Sequence, residues 1–146
     1  MVDIEDDQNQ NSGSGDEVIE VPLEGNPKIL IVDDEELMRE VTSIMIEDRG
    51  GEVFTACDGM EAVEVFGKHK DEISCICMDF SMPRMNGYEA YQEIVKIKPA
   101  VHFIMISGLS ITPEVEDLRK QGAITFLAKP FNETTLIKTI NAVHKQ

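Results

Sequence analysis

Apolar positions along this chain form short runs that alternate with longer stretches of helical spacing, and the alternation repeats five times from Lys28 onward. The run 29–32 is mostly β-branched and ends on Asp33 and Asp34, after which Leu37, Val41, Ile44 and Met45 recur with helical spacing. A strand is predicted, then a helix, together one βα unit. Gly50-Gly51 ends that helix, and residues 53–56 predict a second short strand. Asp58, with Glu61 three residues later, resembles a capping box opening a helix that turns Ala62, Val63 and Phe66 inward. Ile73, Cys75, Ile76, Cys77 and Met78 predict a third strand over 73–79, apolar on both faces and ending on Asp79.

After the loop 83–87, Tyr88, Tyr91, Ile94 and Val95 line one helical face until Pro99. Residues 102–106 predict the fourth strand, closed by Ser107-Gly108. Thr112-Pro113 reads as an N-cap with proline at the first helical position, and Val115 and Leu118 make the weakest apolar stripe of the five helices up to Gln121-Gly122. Residues 124–128 predict the fifth strand, which Lys129-Pro130 stops. Asn132 then caps a last helix carrying Leu136, Ile137, Ile140 and Val143.

Strict alternation with right-handed crossovers predicts an α/β fold: a single doubly wound five-stranded parallel sheet with five helices. The expected strand order is flavodoxin-like, 2-1-3-4-5, with its switch point between the first and third strands. Those are the strands that end in Asp33-Asp34 and Asp79. Ligands of such sheets bind beyond the carboxyl ends of the strands at the switch point, so hydrophobic pattern and acid placement meet at one crevice.

Charge divides the chain further. Residues 1–24 carry eight acids and no Lys or Arg, so the other 122 residues hold only −7 of the net charge of −15. This opening segment has little to bury and is expected to be an acidic disordered tail, with the globular domain spanning 25–146. The acidic balance disfavours direct binding to nucleic acid. No apolar run of about 18 residues exists to span a bilayer, and the amino terminus lacks the pattern of a secretory signal, so a cytoplasmic protein is expected. Three cysteines are an odd number, and Cys75 and Cys77 alternate onto one face of a buried strand, which predicts core packing. His69, His102 and His144 show no zinc-site spacing relative to them.

Three carboxylates gathered at one crevice repel one another, and a hard divalent cation relieves that repulsion. Magnesium suits a site of few carboxylates with several waters. Ser107 ends the fourth strand and Lys129 follows the fifth, which places a hydroxyl and an ammonium beside the same crevice. Around one carboxylate these groups make a receptor for a phosphoryl group, with Asp79 as the nucleophile that forms an acyl phosphate.

With these residues in view, the chain from about residue 27 to 144 resembles the receiver domain of two-component response regulators. Val32-Asp33-Asp34-Glu35 looks like the acidic pair, Asp79 with Met82-Pro83-Arg84-Met85-Asn86-Gly87 like the phosphoacceptor and its loop, Ser107-Gly108 like the hydroxyl position, and Lys129-Pro130-Phe131 like the lysine motif. The resemblance implies phosphorylation of Asp79 by a histidine kinase or a histidine phosphotransfer protein. It implies Mg²⁺ held by Asp34, Asp79 and the Ser81 carbonyl, with Asp33 acting through water. It further implies a cis Lys129-Pro130 bond, Phe126 as a rotating aromatic switch, and a downstream protein bound through the fourth helix, fifth strand and fifth helix. Phe80 and Asn86 depart from the commoner aliphatic and Asp at their positions.

No substrate-transforming enzyme is expected, only self-catalysed phosphotransfer and autodephosphorylation. Because the sequence stops after the last helix, a stand-alone receiver is expected, monomeric or weakly dimeric on phosphorylation. A receiver cut from a hybrid histidine kinase is the nearest alternative. A Mg²⁺-dependent phosphatase with an aspartyl nucleophile would want a second acid at position 81, where the chain has Ser81, and a cap over the site. A flavin-binding module would want a Ser/Thr/Gly-rich phosphate loop where the chain has Asp33, Asp34 and Glu35.

Overall fold

In a computed structural model, residues 21–82, 85–108 and 111–144 are described, the last without its side chain. Residues 1–20 of the expected tail, Pro83 and Arg84 of the loop after Asp79, and the His144 side chain lie outside them. Among the described residues five strands alternate with five helices: β1 (Lys28–Val32), α1 (Glu36–Asp48), β2 (Glu52–Ala56), α2 (Gly59–His69), β3 (Cys75–Asp79), α3 (Gly87–Ile97), β4 (His102–Ser107), α4 (Pro113–Lys120), β5 (Thr125–Ala128) and α5 (Glu133–His144). All strand pairings are parallel, in the order β2-β1-β3-β4-β5, as the sequence pattern predicts.

Alternate residues of each inner strand feed two separate cores. Leu30, Val32, Ile76, Met78, Phe103 and Met105 pack with Phe66, Ala90, Ile94 and Val115, which belong to α2, α3 and α4. Ile29, Ile31, Cys75, Cys77, Ile104 and Ile106 pack with Ile46 of α1 and with Leu136, Ile137 and Ile140 of α5. Every residue of β3 is buried, which explains its unbroken apolar run. Cys75 and Cys77 are free thiols inside the second core. The Cys77 thiol is pushed far up by its hydrogen bond with Cys75 and by burial, so it stays protonated and behaves as a small apolar residue.

Local signals set the helix starts. The side chains of Asp58, Asn86, Thr112 and Asn132 accept from the backbone N–H three residues on, at the openings of α2, α3, α4 and α5. At Asp58 only half of the expected box forms, because the Glu61 carboxylate takes the N–H of Cys57 at 2.7 Å. The reciprocal box is at Asn86 and Glu89, so the asparagine that departs from the commoner Asp serves as a helix cap.

Of the apolar positions along α1, Leu37 and Ile44 are 70% and 64% exposed, and the buried residues of the helix are Thr42 and Ile46. One residue turns a helix by about 100°, and apolar residues at 37, 41, 44 and 45 accommodate more than one rotation. One expectation is corrected: the end of the segment assigned to the tail is held against the fold, with Pro22 and Glu24 exposed but Leu23 buried. Leu23 is buried against the second core, its N–H donates to the Arg49 carbonyl at 2.8 Å, and a Cβ on Gly51 would lie 2.7 Å from its Cδ1. Asn141 clasps the same segment through Pro22 and Glu24, a partner more than a hundred residues away that no local pattern announces.

If residues 21–24 belong to the folded unit, Leu23→Ala leaves a cavity and costs about 2 to 5 kcal/mol in urea unfolding. A loss within about 0.5 kcal/mol, the range of ordinary surface substitutions, would return the segment to the tail.

Candidate functional site: an acidic crevice at the switch point

β1 and β3 are neighbours whose crossovers leave in opposite directions, toward β2 and toward β4. The crevice between their carboxyl ends is therefore open, and both strands end in acids there. Asp33 follows β1 directly, and Asp79 is the last residue of β3. Both are buried, whereas Asp34 is exposed. One carboxylate oxygen from each of Asp33, Asp34 and Asp79 can be chosen so that all three lie within 4.8 Å of one another.

Backbone pairing holds each acid in place. The Asp33 N–H donates to the Ala56 carbonyl at 3.2 Å, and the Asp33 carboxylate accepts the Glu35 N–H at 2.9 Å, an Asx turn that folds the loop before α1. Arg39 of α1 reaches back to the Asp33 carbonyl at 2.7 Å. No apolar period along α1 marks Arg39 for this part. On the other side, the Phe80 N–H donates to the Ile106 carbonyl, and the Gly87 N–H to the Phe80 carbonyl at 2.9 Å. A Cβ on Gly87 would stand 2.7 Å from the Met105 sulfur and 2.9 Å from the Phe80 Cα, so the first residue of α3 must be glycine for the helix to close on the Asp79 loop.

The Asp79 carboxylate has a different partner on each oxygen. Lys129 Nζ lies 3.3 Å from Oδ2, and the Ser81 N–H donates to Oδ1 at 3.2 Å. Lys129 is carried by the end of β5, where its N–H donates to the Ser107 carbonyl at 2.9 Å, and its bond to Pro130 is cis. Ser107 ends β4 and is buried. Phe126 does not join the crevice. It is half-buried in β5, in register with Met105, two residues before Ser107. Strand alternation puts Ser107, Met105 and Phe126 on the one sheet face that also carries α4.

Electrostatically the crevice is divided against itself. Burial pushes the Asp33 carboxyl up; the Glu35 N–H pulls it down, the Asp79 charge pushes it up, Lys129 pulls it down and Asp34 adds a smaller push up. The net shift is upward, so the folded protein holds this proton more tightly than the unfolded chain does. The stability that comes from a protonated Asp33 is fully present below its ordinary value of 3.8 and is lost as pH rises through the raised value. The donors are all hard carboxylate oxygens, and a small divalent cation placed among them would offset this repulsion, so the residues fit Mg²⁺.

Metal-free Asp33→Asn should accordingly melt higher than the parent at pH 7, with the gap closing as pH falls toward 4. Thermal melts in EDTA across that range check it, and a parent that stays the more stable at pH 7 rules out the repulsive site. Adding Mg²⁺ should narrow the difference at pH 7.

This geometry has counterparts in known proteins. The family described as "Response regulator receiver domain" matches residues 29–141. The chemotaxis protein CheY of Thermotoga maritima is 38% identical over 119 residues, covering 81% of this chain and 98% of that protein. A crystal structure of a response regulator receiver domain protein from Clostridium thermocellum superposes with a TM-score of 0.76 at 29% identity, over 82% of this chain and 94% of that one. The CheX–CheY complex of Borrelia burgdorferi, solved with BeF₃ and Mg²⁺, matches with a TM-score of 0.73 at 28% identity, over 84% of this chain and 90% of that one. With its acids at the switch point of a 2-1-3-4-5 sheet and Lys129 beside Asp79, this chain belongs to the response regulator receiver domains, the signalling modules of two-component systems.

Proposed function

We propose that Asp79 is the phosphoacceptor of this receiver. A carboxylate oxygen attacks the phosphorus of a phosphohistidine on a histidine kinase or a histidine phosphotransfer protein, and the P–N bond breaks. A proton from solvent goes to the leaving nitrogen, which yields neutral histidine and an acyl phosphate. The observation that carries this reading is the setting of one buried carboxylate: Lys129 at 3.3 Å on one oxygen, the Ser81 N–H on the other, and two further acids within 4.8 Å.

Asp34, Asp79 and the Ser81 carbonyl would hold Mg²⁺, with Asp33 acting through water. When bound, the cation supplies positive charge against the phosphoryl oxygens and offsets the repulsion among the acids. Lys129 neutralises the oxygens on its own side, and the Ser107 hydroxyl turns toward the phosphoryl group to donate a hydrogen bond. The exposed Ser81 stands where an aspartyl phosphatase would need its second acid, and so hydrolysis is limited to slow autodephosphorylation.

The signal leaves through packing. As Ser107 moves toward the phosphoryl group it vacates space on the face it shares with Phe126, which the half-buried ring turns to fill. α4 lies on that face and holds to the core through Val115 as its single fully buried residue, so it is the helix most easily re-posed. The face made by α4, β5 and α5 then presents a changed surface to a downstream protein or to a second copy. We place this exchange in the cytoplasm, without nucleic-acid contact; among the described residues no helix is long and apolar enough to cross a membrane.

Acetyl phosphate with Mg²⁺ should add one base-labile phosphoryl group, seen by intact-mass spectrometry, and Asp79→Asn should lower the rate at least about 100-fold. EDTA should stop uptake, and Asp34→Ala should weaken Mg²⁺ binding at least about tenfold. Uptake by Asp79→Asn at the parent rate would assign the chemistry to another residue.

Beryllofluoride with Mg²⁺ should give its largest amide shifts outside the crevice in residues 107–128. Shifts confined to 33–36 and 79–87 would identify a phosphoryl carrier with no conformational output.

A further inference from the structure

The ladder between β1 and β2 runs in register from Lys28 with Glu52 to Val32 with Ala56 and stops there. One further bond follows it, from the Asp33 N–H to the Ala56 carbonyl. Were the parallel ladder to continue, the Asp33 carbonyl would take the N–H of residue 58. By that point the partner strand has left the sheet: Asp58 is the N-cap of α2, and the Cys57 N–H before it goes to the Glu61 carboxylate. The carbonyl of buried Asp33 therefore needs a donor from elsewhere, and Arg39 supplies it through Nη1 at 2.7 Å. Arg39 reaches it from the β2 side, since it lines the groove that α1 forms with Thr55 of β2.

The guanidinium has acids all around it. Glu35, Glu36 and Glu40 are its neighbours along the chain, and Asp33 and Asp34 stand beside it at the end of β1. It forms no ion pair with another described residue and is spent on a neutral carbonyl. Paired with the Asp33 or Asp34 carboxylate it would cancel charge in the crevice; on the carbonyl it leaves that charge in place. What the bond does hold is the peptide between Asp33 and Asp34, which sets the direction in which Asp34 leaves β1. Asp33 has other restraints, because it is buried and its carboxylate accepts the Glu35 N–H. Asp34 is exposed, and among the described residues none donates a hydrogen bond to its carboxylate. Its position thus depends on the backbone that carries it.

We propose that Arg39 is a positioning residue for the cation site: by holding the Asp33 carbonyl it fixes the Asp33–Asp34 peptide, and through that peptide keeps the Asp34 carboxylate within reach of Asp79. The inference rests on Asp34 being a ligand of Mg²⁺, as proposed above. Without Arg39 the Asp33 carbonyl turns toward water and Asp34 spreads over several orientations, so that binding has to order it first. The sign of the effect separates this role from a field effect. A positive charge acting through space alone repels a dication, and its removal would strengthen binding. Removal of a positioning guanidinium weakens it.

Mg²⁺ titrations of the full chain, followed by the amide resonances of the crevice, test this without any phosphoryl donor. Arg39→Met keeps the apolar stem but removes donor and charge, and should bind Mg²⁺ at least about fivefold more weakly than the parent. Arg39→Lys keeps a donor and should recover part of that loss. In an Asp34→Ala background the same Arg39→Met change should alter the affinity by less than about twofold, because the ligand it positions is gone. In EDTA, the Asp33 carbonyl carbon and Asp34 amide nitrogen resonances should shift in Arg39→Met and move back toward the parent in Arg39→Lys. Equal or tighter Mg²⁺ binding by Arg39→Met overturns the proposal, as does an equal loss in both backgrounds or a pair of Asp33 and Asp34 resonances that stay in place. If Arg39→Met does not melt cooperatively, Arg39→Lys takes its place in the cycle, with a smaller loss expected and the same dependence on Asp34. An Asp34→Ala variant that binds Mg²⁺ as the parent does overturns the ligand assignment and this inference together. Weakened Asp34→Ala beside unweakened Arg39→Met overturns this inference alone.

Discussion

The contact between Lys129 and Asp79 joins residues fifty apart in sequence, and it reaches from the end of β5 across β4 to the end of β3. A single ammonium can make that span only if three strands end at the same level. The register supplies this: Asp79 pairs with Ile106, Ser107 pairs with Ala128, and the Lys129 N–H rests on the Ser107 carbonyl. A slip of one residue in either pairing would turn Asp79 or Ser107 to the opposite face of the sheet. The chemistry of the crevice therefore depends on the apolar packing beneath it, which specifies the register.

That dependence explains the division of labour between core and crevice. Both faces of β1, β3 and β4 are covered, and the acids sit where this support is strongest. Burial and neighbouring charge make the crevice an unfavourable place for ionised Asp33, and the packed sheet holds it there regardless. An unfavourable cluster of this kind is a ready receptor for positive charge. By contrast, α4 is attached through little buried surface, so the fold joins a rigid acceptor edge to one loosely held helix.

By itself the sequence determined the alternation of strands and helices, the strand order and the grouping of Asp33, Asp34, Asp79, Ser107 and Lys129 at one edge. These follow from local matters: repeat period, caps at Asp58, Thr112 and Asn132, and the rule that parallel strands present their carboxyl ends together. Only the tertiary structure decided which side of α1 faces inward, because neighbouring rotations of an amphipathic helix bury similar apolar content and contact with β2 and β1 chooses between them. It alone brought Arg39 back to the Asp33 carbonyl and set Leu23 into the core under the clasp of Asn141. Such contacts join residues whose spacing along the chain carries no period, and their partners exist only once the sheet and its two helical layers have assembled.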